Sequence, residues 1–323
     1  MPCNVVRYLD QKTGNKNWGV HIDGIYPIEG AFPTTREFLL NGTQAAFEIQ
    51  ADLAKHAGKK IDSASVDILS PVTKPCQVLC QGANYRQHMI ESGMNPDEKK
   101  FNMIFNKSAA CITAADGEIV RPAHVKLLDY EIELGLIIGV QVEQSTEISE
   151  RDLHKYIAAI VIGNDISARD VQVPQMQFFK GKSYRTFCPV GPFLCLMEPA
   201  DFRYLDDLNL LLTVNGETRQ EGSTDDLVFK PAEALSELSQ IADLNIGDLV
   251  LTGTPAGCAM RAPSPGKQKL AGLLPEAKKW QIFIKTQMER TEYLQPGDTI
   301  EARISSADGV IDLGVQRNTI VSG

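Results

Sequence analysis

The sequence predicts an α+β chain that is rich in β-structure, with a few helices added to many short strands and a small α/β unit at the N-terminus. Three observations carry this. Short apolar runs closed by Gly, Pro, Asn or Asp recur along the whole chain, while stretches with helical spacing are few. The clearest run, Asp129 to Gly139, alternates Ile132, Leu134, Leu136 and Ile138 on one face with Glu131, Glu133 and Gly135 on the other. Finally, Leu69-Ser70-Pro71 and Lys74-Pro75 separate about 70 residues from the rest.

Residues 1–70 hold the strands Val5 to Leu9, Trp18 to Ile22 and Ile25 to Ile28, with Asp23-Gly24 as a hairpin turn. Helices over Thr35 to Leu40 and Thr43 to His56 complete this unit, and no catalytic constellation falls in it. Residues 71–323 form the larger unit. Val78 to Cys80 is a strand, and a helix over 84–92 places His88 and Glu91 at i, i+3 on one face. A carboxylate beside an imidazole fixes its tautomer and raises its basicity, an arrangement for activating water; an ordinary exposed ion pair is the plainer reading.

In the Asp129 to Gly139 strand the carboxylates of Glu131 and Glu133 point the same way, ~7 Å apart along the strand. So apolar a strand is expected to be mostly buried, and a hard divalent cation is the simplest partner for two such charges, with Gly135 leaving space beside it. The alternative is an edge strand with one solvated face. Ser149 caps a helix, and Ala158 to Ile162 is a buried strand ending in the polar cluster Gly163-Asn164-Asp165 to Gln172. Phe179 to Pro192 crowds Lys180, Lys182 and Arg185 beside glycine, a positive patch on an acidic chain that suits an anionic substrate or developing enolate. Leu208 to Val214 leads into the Asn215-Gly216 hairpin turn. Pro231 opens a helix with Leu235, Leu238 and Ile241 facing inward. The strand Leu249 to Leu251 ends in Thr252-Gly253-Thr254-Pro255-Ala256-Gly257, where glycines would let a ligand approach backbone amides. Residues 260–292 read as an insertion, and Thr299 to Ile304 begins the closing strands.

Composition excludes several classes. Net charge is −9, which disfavours nucleic acid and anionic membranes as partners. No apolar run approaches the ~20 residues that span a bilayer, and the start of the chain lacks a signal-peptide core. Seven scattered cysteines without a paired zinc spacing are read as buried, reduced thiols of a cytoplasmic protein.

Six ordered blocks together resemble the fumarylacetoacetate hydrolase family over Pro71 to Val321. They are Gly82-x-Asn84-Tyr85-x-x-His88-x-x-Glu91; Asp129-Tyr130-Glu131-x-Glu133; Gly163 to Gln172 with Asp165 and Arg169; Gly181-Lys182-Ser183 with Thr186 to Pro192; Thr252 to Gly257; and Pro296-Gly297-Asp298. The resemblance implies a mixed β-sheet roll with flanking helices. It implies that Glu131, Glu133 and Asp165 bind a divalent cation, magnesium or manganese with calcium as a third choice. It implies that Lys182 stabilises enolate charge, that His88 with Glu91 activates water on a lid, and that Arg169, Gln172 and Thr254 contact substrate. A homodimer acting on a small anionic 2-oxo acid is expected. The expected reaction is hydrolysis of the carbon–carbon bond of an acylpyruvate. Oxaloacetate decarboxylation, hydratase or isomerase activity on 2-oxo acids, and a catalytically idle metal-binding protein are the alternatives. Asn84 stands where some members carry a further metal-binding Asp, and the 260–292 segment is long for the family; it is expected to pack beside the site and select acyl groups.

Overall fold

The computed structural model describes residues 1–98, 100–263, 266 and 272–323. Within these, two mixed sheets share one hydrophobic core. The main path of the larger sheet runs, in order, through Ile25–Pro27, Lys16–His21, Cys3–Leu9, Leu194–Leu196, Ile157–Asn164, Ile132–Ile138, Leu249–Leu251, Val78–Gly82 and Met103–Lys107. The second runs through Glu217–Ser223, Leu208–Val214, Thr299–Ser306, Asp312–Ser322 and Asp116–Arg121. Most pairs are antiparallel; Leu249–Leu251 on Val78–Gly82 and Asp312–Ser322 on Asp116–Arg121 are parallel. This is the β-rich α+β arrangement expected from the sequence.

The strand Ile132–Ile138 is central. Both neighbours are antiparallel to it, and all seven residues are buried. The edge-strand alternative is therefore wrong. Its Ile and Leu side chains each contribute roughly 1.5–3 kcal/mol on burial, which anchors a strand whose leading end carries buried carboxylates. Gly135 serves this packing rather than an ion: a Cβ there would meet Val161 Cγ2 at 2.7 Å and Leu249 Cδ1 at 2.9 Å.

The N-terminal residues keep their own helices and hairpin, with Trp18 stacked on Phe38 at 4.3 Å. Their sheet is continuous with the larger one, because Cys3–Val5 pairs with Leu194–Leu196.

Several local expectations change. The segment after Ser149 is a 3₁₀ helix, Glu150–Lys155, and the Ser149 hydroxyl binds Asp152 rather than a backbone N–H. In the helix Pro231–Ile241, Leu235 and Leu238 are buried, but Ile241 is 63% exposed because the helix ends there. In the 260–292 segment a helix spans Glu276–Met288. Of the apolar residues in this segment, Leu273 and Ile282 are exposed, Phe283 packs on the core, and Leu270 lies outside the described residues. The described cysteines are all free thiols, and all but Cys76 are buried. No helix among the described residues is long and apolar enough to cross a membrane.

Candidate active site

The sheet registers bring the motifs to one edge. Ile132 pairs with Asn164, Gly135 with Leu251, and Leu251 with Cys80. The start of the central strand therefore lies beside three strand ends: those leading to Asp165, to Thr252–Gly257, and to Gly82 and the helix Arg86–Glu91. A cavity of about 410 Å³ opens there. His88, Glu131, Glu133, Arg169, Gln172, Lys182 and Thr254 all line it.

Its floor is ionic. The carboxylates of Asp129, Glu131, Glu133 and Asp165 and the cations Lys107, Arg169 and Lys182 are all buried. Lys182 Nζ donates to Glu131 Oε2 at 2.7 Å and to Asp165. Arg169 Nε donates to Asp129 at 2.8 Å, its Nη2 to Glu131, and its Nη1 to Gln172 Oε1 at 2.9 Å. Lys107 Nζ donates to Asp165 and to the Phe187 carbonyl at 2.8 Å. Four carboxyl groups face three cations, and Glu133 is the one left without a cationic partner. Burial, then Asp165 and Glu131, push that carboxyl well above its ordinary range, against the 2.7 Å hydrogen bond from the Gly253 amide. Burial also works to raise Glu131, but Arg169 and Lys182 outweigh it and hold that carboxylate well below. For Lys182, burial pulls down while Asp165 and Glu131 pull harder, so the ammonium is held above its usual value.

Glu131, Glu133 and Asp165 bring carboxylate oxygens within 4.8 Å of one another. An all-oxygen donor set that includes a buried carboxyl with no cationic partner fits a hard divalent cation. The added charge would relieve the strain on Glu133 and give the cavity floor a net positive charge, which suits an anionic ligand.

The glycine loop works differently from the sequence expectation. Gly253, at φ 91°, gives its amide to Glu133, and Gly257, at φ 108°, gives its amide to Glu91 Oε2 at 3.1 Å. These amides fix the carboxylates instead of greeting a ligand. Thr254 lines the cavity, but its hydroxyl donates to the Ile132 carbonyl and accepts from Gln220, both at 2.8 Å. Asn84 is a clamp: it donates to the Thr252 and Phe229 carbonyls and accepts from the Phe229 amide.

His88 and Glu91 share the short helix Arg86–Glu91 but are not joined. Glu91 pairs with Arg261 as well as with the Gly257 amide, and among the described residues no hydrogen bond links it to His88. Burial lowers His88, with Glu131 pulling the other way, so the imidazole is favoured neutral. Two charged groups of the floor, Asp129 and Lys107, carry no assigned role in the sequence. Asp129 is two residues before Glu131, so its side of the strand was readable from the same alternation. Lys107 gave no signal, because only the fold carries it to Asp165.

The upper wall is apolar. Met94, Met103, Met176 and Met260, half of the chain's eight methionines, line it with Phe105 and Phe178. Unbranched thioether chains make an adaptable surface. Of the 260–292 segment, Met260 alone among the described residues lines the cavity.

With this floor in place, the chain belongs to the fumarylacetoacetate hydrolase family: the model of the Fumarylacetoacetate (FAA) hydrolase C-terminal domain matches residues 77–321. Among curated proteins it is similar to oxaloacetate tautomerase YisK of Bacillus subtilis, 39% identical over 198 residues, covering 60% of this chain and 64% of that protein. It is also similar to the mitochondrial oxaloacetate tautomerase FAHD2A of Homo sapiens, 30% identical over 266 residues and 82% of each chain. Among solved structures, a probable 2-hydroxyhepta-2,4-diene-1,7-dioate isomerase from Mycobacterium abscessus matches with a TM-score of 0.69 and 28% identity, covering 100% of this chain and 99% of that one.

Proposed function

We propose that this chain is an enzyme of 2-oxo acid enol chemistry, interconverting the keto and enol forms of a 2-oxo dicarboxylate of the oxaloacetate class. The observation that carries this choice is the separation of His88 from Glu91. The pair that would turn water into a nucleophile is not assembled, whereas the groups that move a proton and hold an enolate are. The names of the similar tautomerases and isomerases support the same direction.

Magnesium or manganese held by Glu131, Glu133 and Asp165 would supply Lewis-acid polarisation of the 2-oxo acid. The remaining work falls to side chains. A neutral imidazole at His88 takes the proton from carbon 3 and gives it to the oxygen on carbon 2, which completes the enol, and the reverse direction retraces the same transfer. Lys182 has three N–H donors, two of them used by Glu131 and Asp165. Its third is available to the oxygen that gains charge. Arg169, anchored on Asp129, and Gln172 offer hydrogen bonds to substrate carboxylate. No water is consumed in this reaction, so the apolar wall serves it by keeping bulk solvent away from the enolate.

Hydrolysis of an acylpyruvate is the second reading. The placement of His88 and Glu91 on one helix at the cavity favours it. It needs Glu91 to exchange Arg261 for His88. One assay separates the two: oxaloacetate enol and a set of acylpyruvates are offered to the protein with magnesium or manganese. Enol decay without pyruvate release is expected. Pyruvate release from acylpyruvates, with no acceleration of enol decay, would replace the tautomerase reading by the hydrolase one.

A further inference from the structure

We infer that His88, Glu131 and Cys258 form a second metal site, suited to a thiophilic divalent ion such as zinc, which overlaps the carboxylate site through Glu131. Cys258 Sγ lies 4.0 Å from His88 Nδ1 and 3.9 Å from Glu131 Oε1, and one donor atom from each residue falls within 4.8 Å of the others. All three residues are buried. Zinc bonds of about 2.0–2.3 Å in a tetrahedron set donors roughly 3.5 Å apart, so the two distances from the sulfur need to shorten by about half an ångström, and the His88 and Glu131 donors, within 4.8 Å, close by about an ångström or less.

The surroundings are already fixed. The residues on both sides of Cys258 are pinned: Gly257 gives its amide to Glu91, and Ala259 and Met260 give theirs to Asp129. Gln220 Nε2 approaches the sulfur at 3.7 Å. Arg169 also faces Glu131 Oε1, but its Nε bond to Asp129 keeps the guanidinium anchored when an ion takes a share of that oxygen. His88 and Glu131 line the cavity, which leaves the fourth position open to water.

Donor chemistry separates the two sites. The Glu131, Glu133 and Asp165 set is all oxygen and suits hard ions, whereas sulfur and imidazole nitrogen favour zinc, cobalt or copper. As the metal–sulfur bond forms, the Cys258 thiol gives its proton to solvent. Occupancy ties down both the imidazole and Glu131. On the reading that these two serve the reaction, zinc is therefore an inhibitor that no hard ion mimics.

Cobalt(II) is the probe, because cobalt bound to a thiolate absorbs in the near ultraviolet and a tetrahedral site gives intense visible bands. Metal-stripped full-length protein is titrated with cobalt and then with zinc. A thiolate band that zinc bleaches is expected in the native chain and in the Glu133→Gln, Asp165→Asn double variant. It should vanish in Cys258→Ser, and in His88→Gln the cobalt affinity should fall at least tenfold, with folding checked by circular dichroism. No thiolate band at saturating cobalt in the native chain overturns the site, as does a band that survives in folded Cys258→Ser. None of these readouts depends on turnover, so they stand apart from the fate of the tautomerase reading.

Discussion

The floor and the mouth of the cavity are built on different principles. On the floor each charged group has two or more partners of opposite charge or a backbone bond: Lys107, Lys182 and Arg169 interlock with Asp129, Glu131 and Asp165, while Gly253 holds Glu133. At the mouth the contacts are few and exchangeable. Glu91 leans on the half-exposed Arg261, and flexible methionines form the wall. A floor of this kind holds its geometry while a mouth of this kind can be remodelled, so differences in reaction and substrate are expected to arise at the mouth.

The largest effect is expected where the floor is cut. Replacing Glu133 by Gln together with Asp165 by Asn should abolish tight single-site manganese binding to the metal-stripped protein. Calorimetric titration checks this, and binding that persists unchanged would move the metal elsewhere.

Stability should follow the same line. Lys107→Met leaves Asp165 with one of its two buried cations, and breaking a buried pair of this kind costs about 3–5 kcal/mol. Urea unfolding should show a loss of that size in Lys107→Met. It should be smaller when Asp165→Asn is made in the same chain, since the uncompensated charge is then gone. A loss below 1 kcal/mol, about the scale of a surface pair, would mean that the floor is less interlocked than the geometry implies.

A moderate, discriminating effect is expected at the junction of floor and mouth. His88→Ala should slow enol interconversion by ~10²-fold, the usual scale for a lost general base. Glu91→Gln should leave it nearly unchanged, because Glu91 binds Arg261 and Gly257 and not His88. Equal losses in the two variants, read from enol decay, would restore them as a dyad and favour hydrolysis.

This contrast also explains what was legible in the sequence. Alternation at period two put Glu131 and Glu133 on one face, and the polar end of an apolar strand marked Asp165; both are local signals, and the floor is made from them. Lys107 was invisible because its value depends on a contact 58 residues away in sequence. His88 and Glu91 were correctly placed on one helix, yet i, i+3 spacing says only that two side chains can meet. Arg261, from a distant loop, takes Glu91 instead. The glycines of Thr252 to Gly257 suggest ligand-facing amides, whereas those of Gly253 and Gly257 are consumed by carboxylates that no local pattern brings to them.

The smallest effect should come from residues 260–292, and it sharpens the comparison most. Met260 alone among the described residues of this segment lines the cavity, so the rest acts on the site at one remove. Gln287, at the end of the helix Glu276–Met288, donates to the Arg261 carbonyl at 3.0 Å and accepts from Tyr293, while Arg290 donates to the Ala259 carbonyl at 2.8 Å. The helix thus fixes the backbone of the loop that carries both Met260 and the partner of Glu91. Met260→Ala should widen the wall and change the relative rates on 2-oxo acids of increasing size by several-fold, within the 1–3 kcal/mol that one or two methylenes command in an apolar pocket. Gln287→Ala should change all rates together and leave their ratios intact, because it loosens the loop without reshaping the wall. Rates measured across such a series decide between them. If Met260→Ala leaves every ratio unchanged, the segment is a support for the loop and the methionine wall does not select substrates.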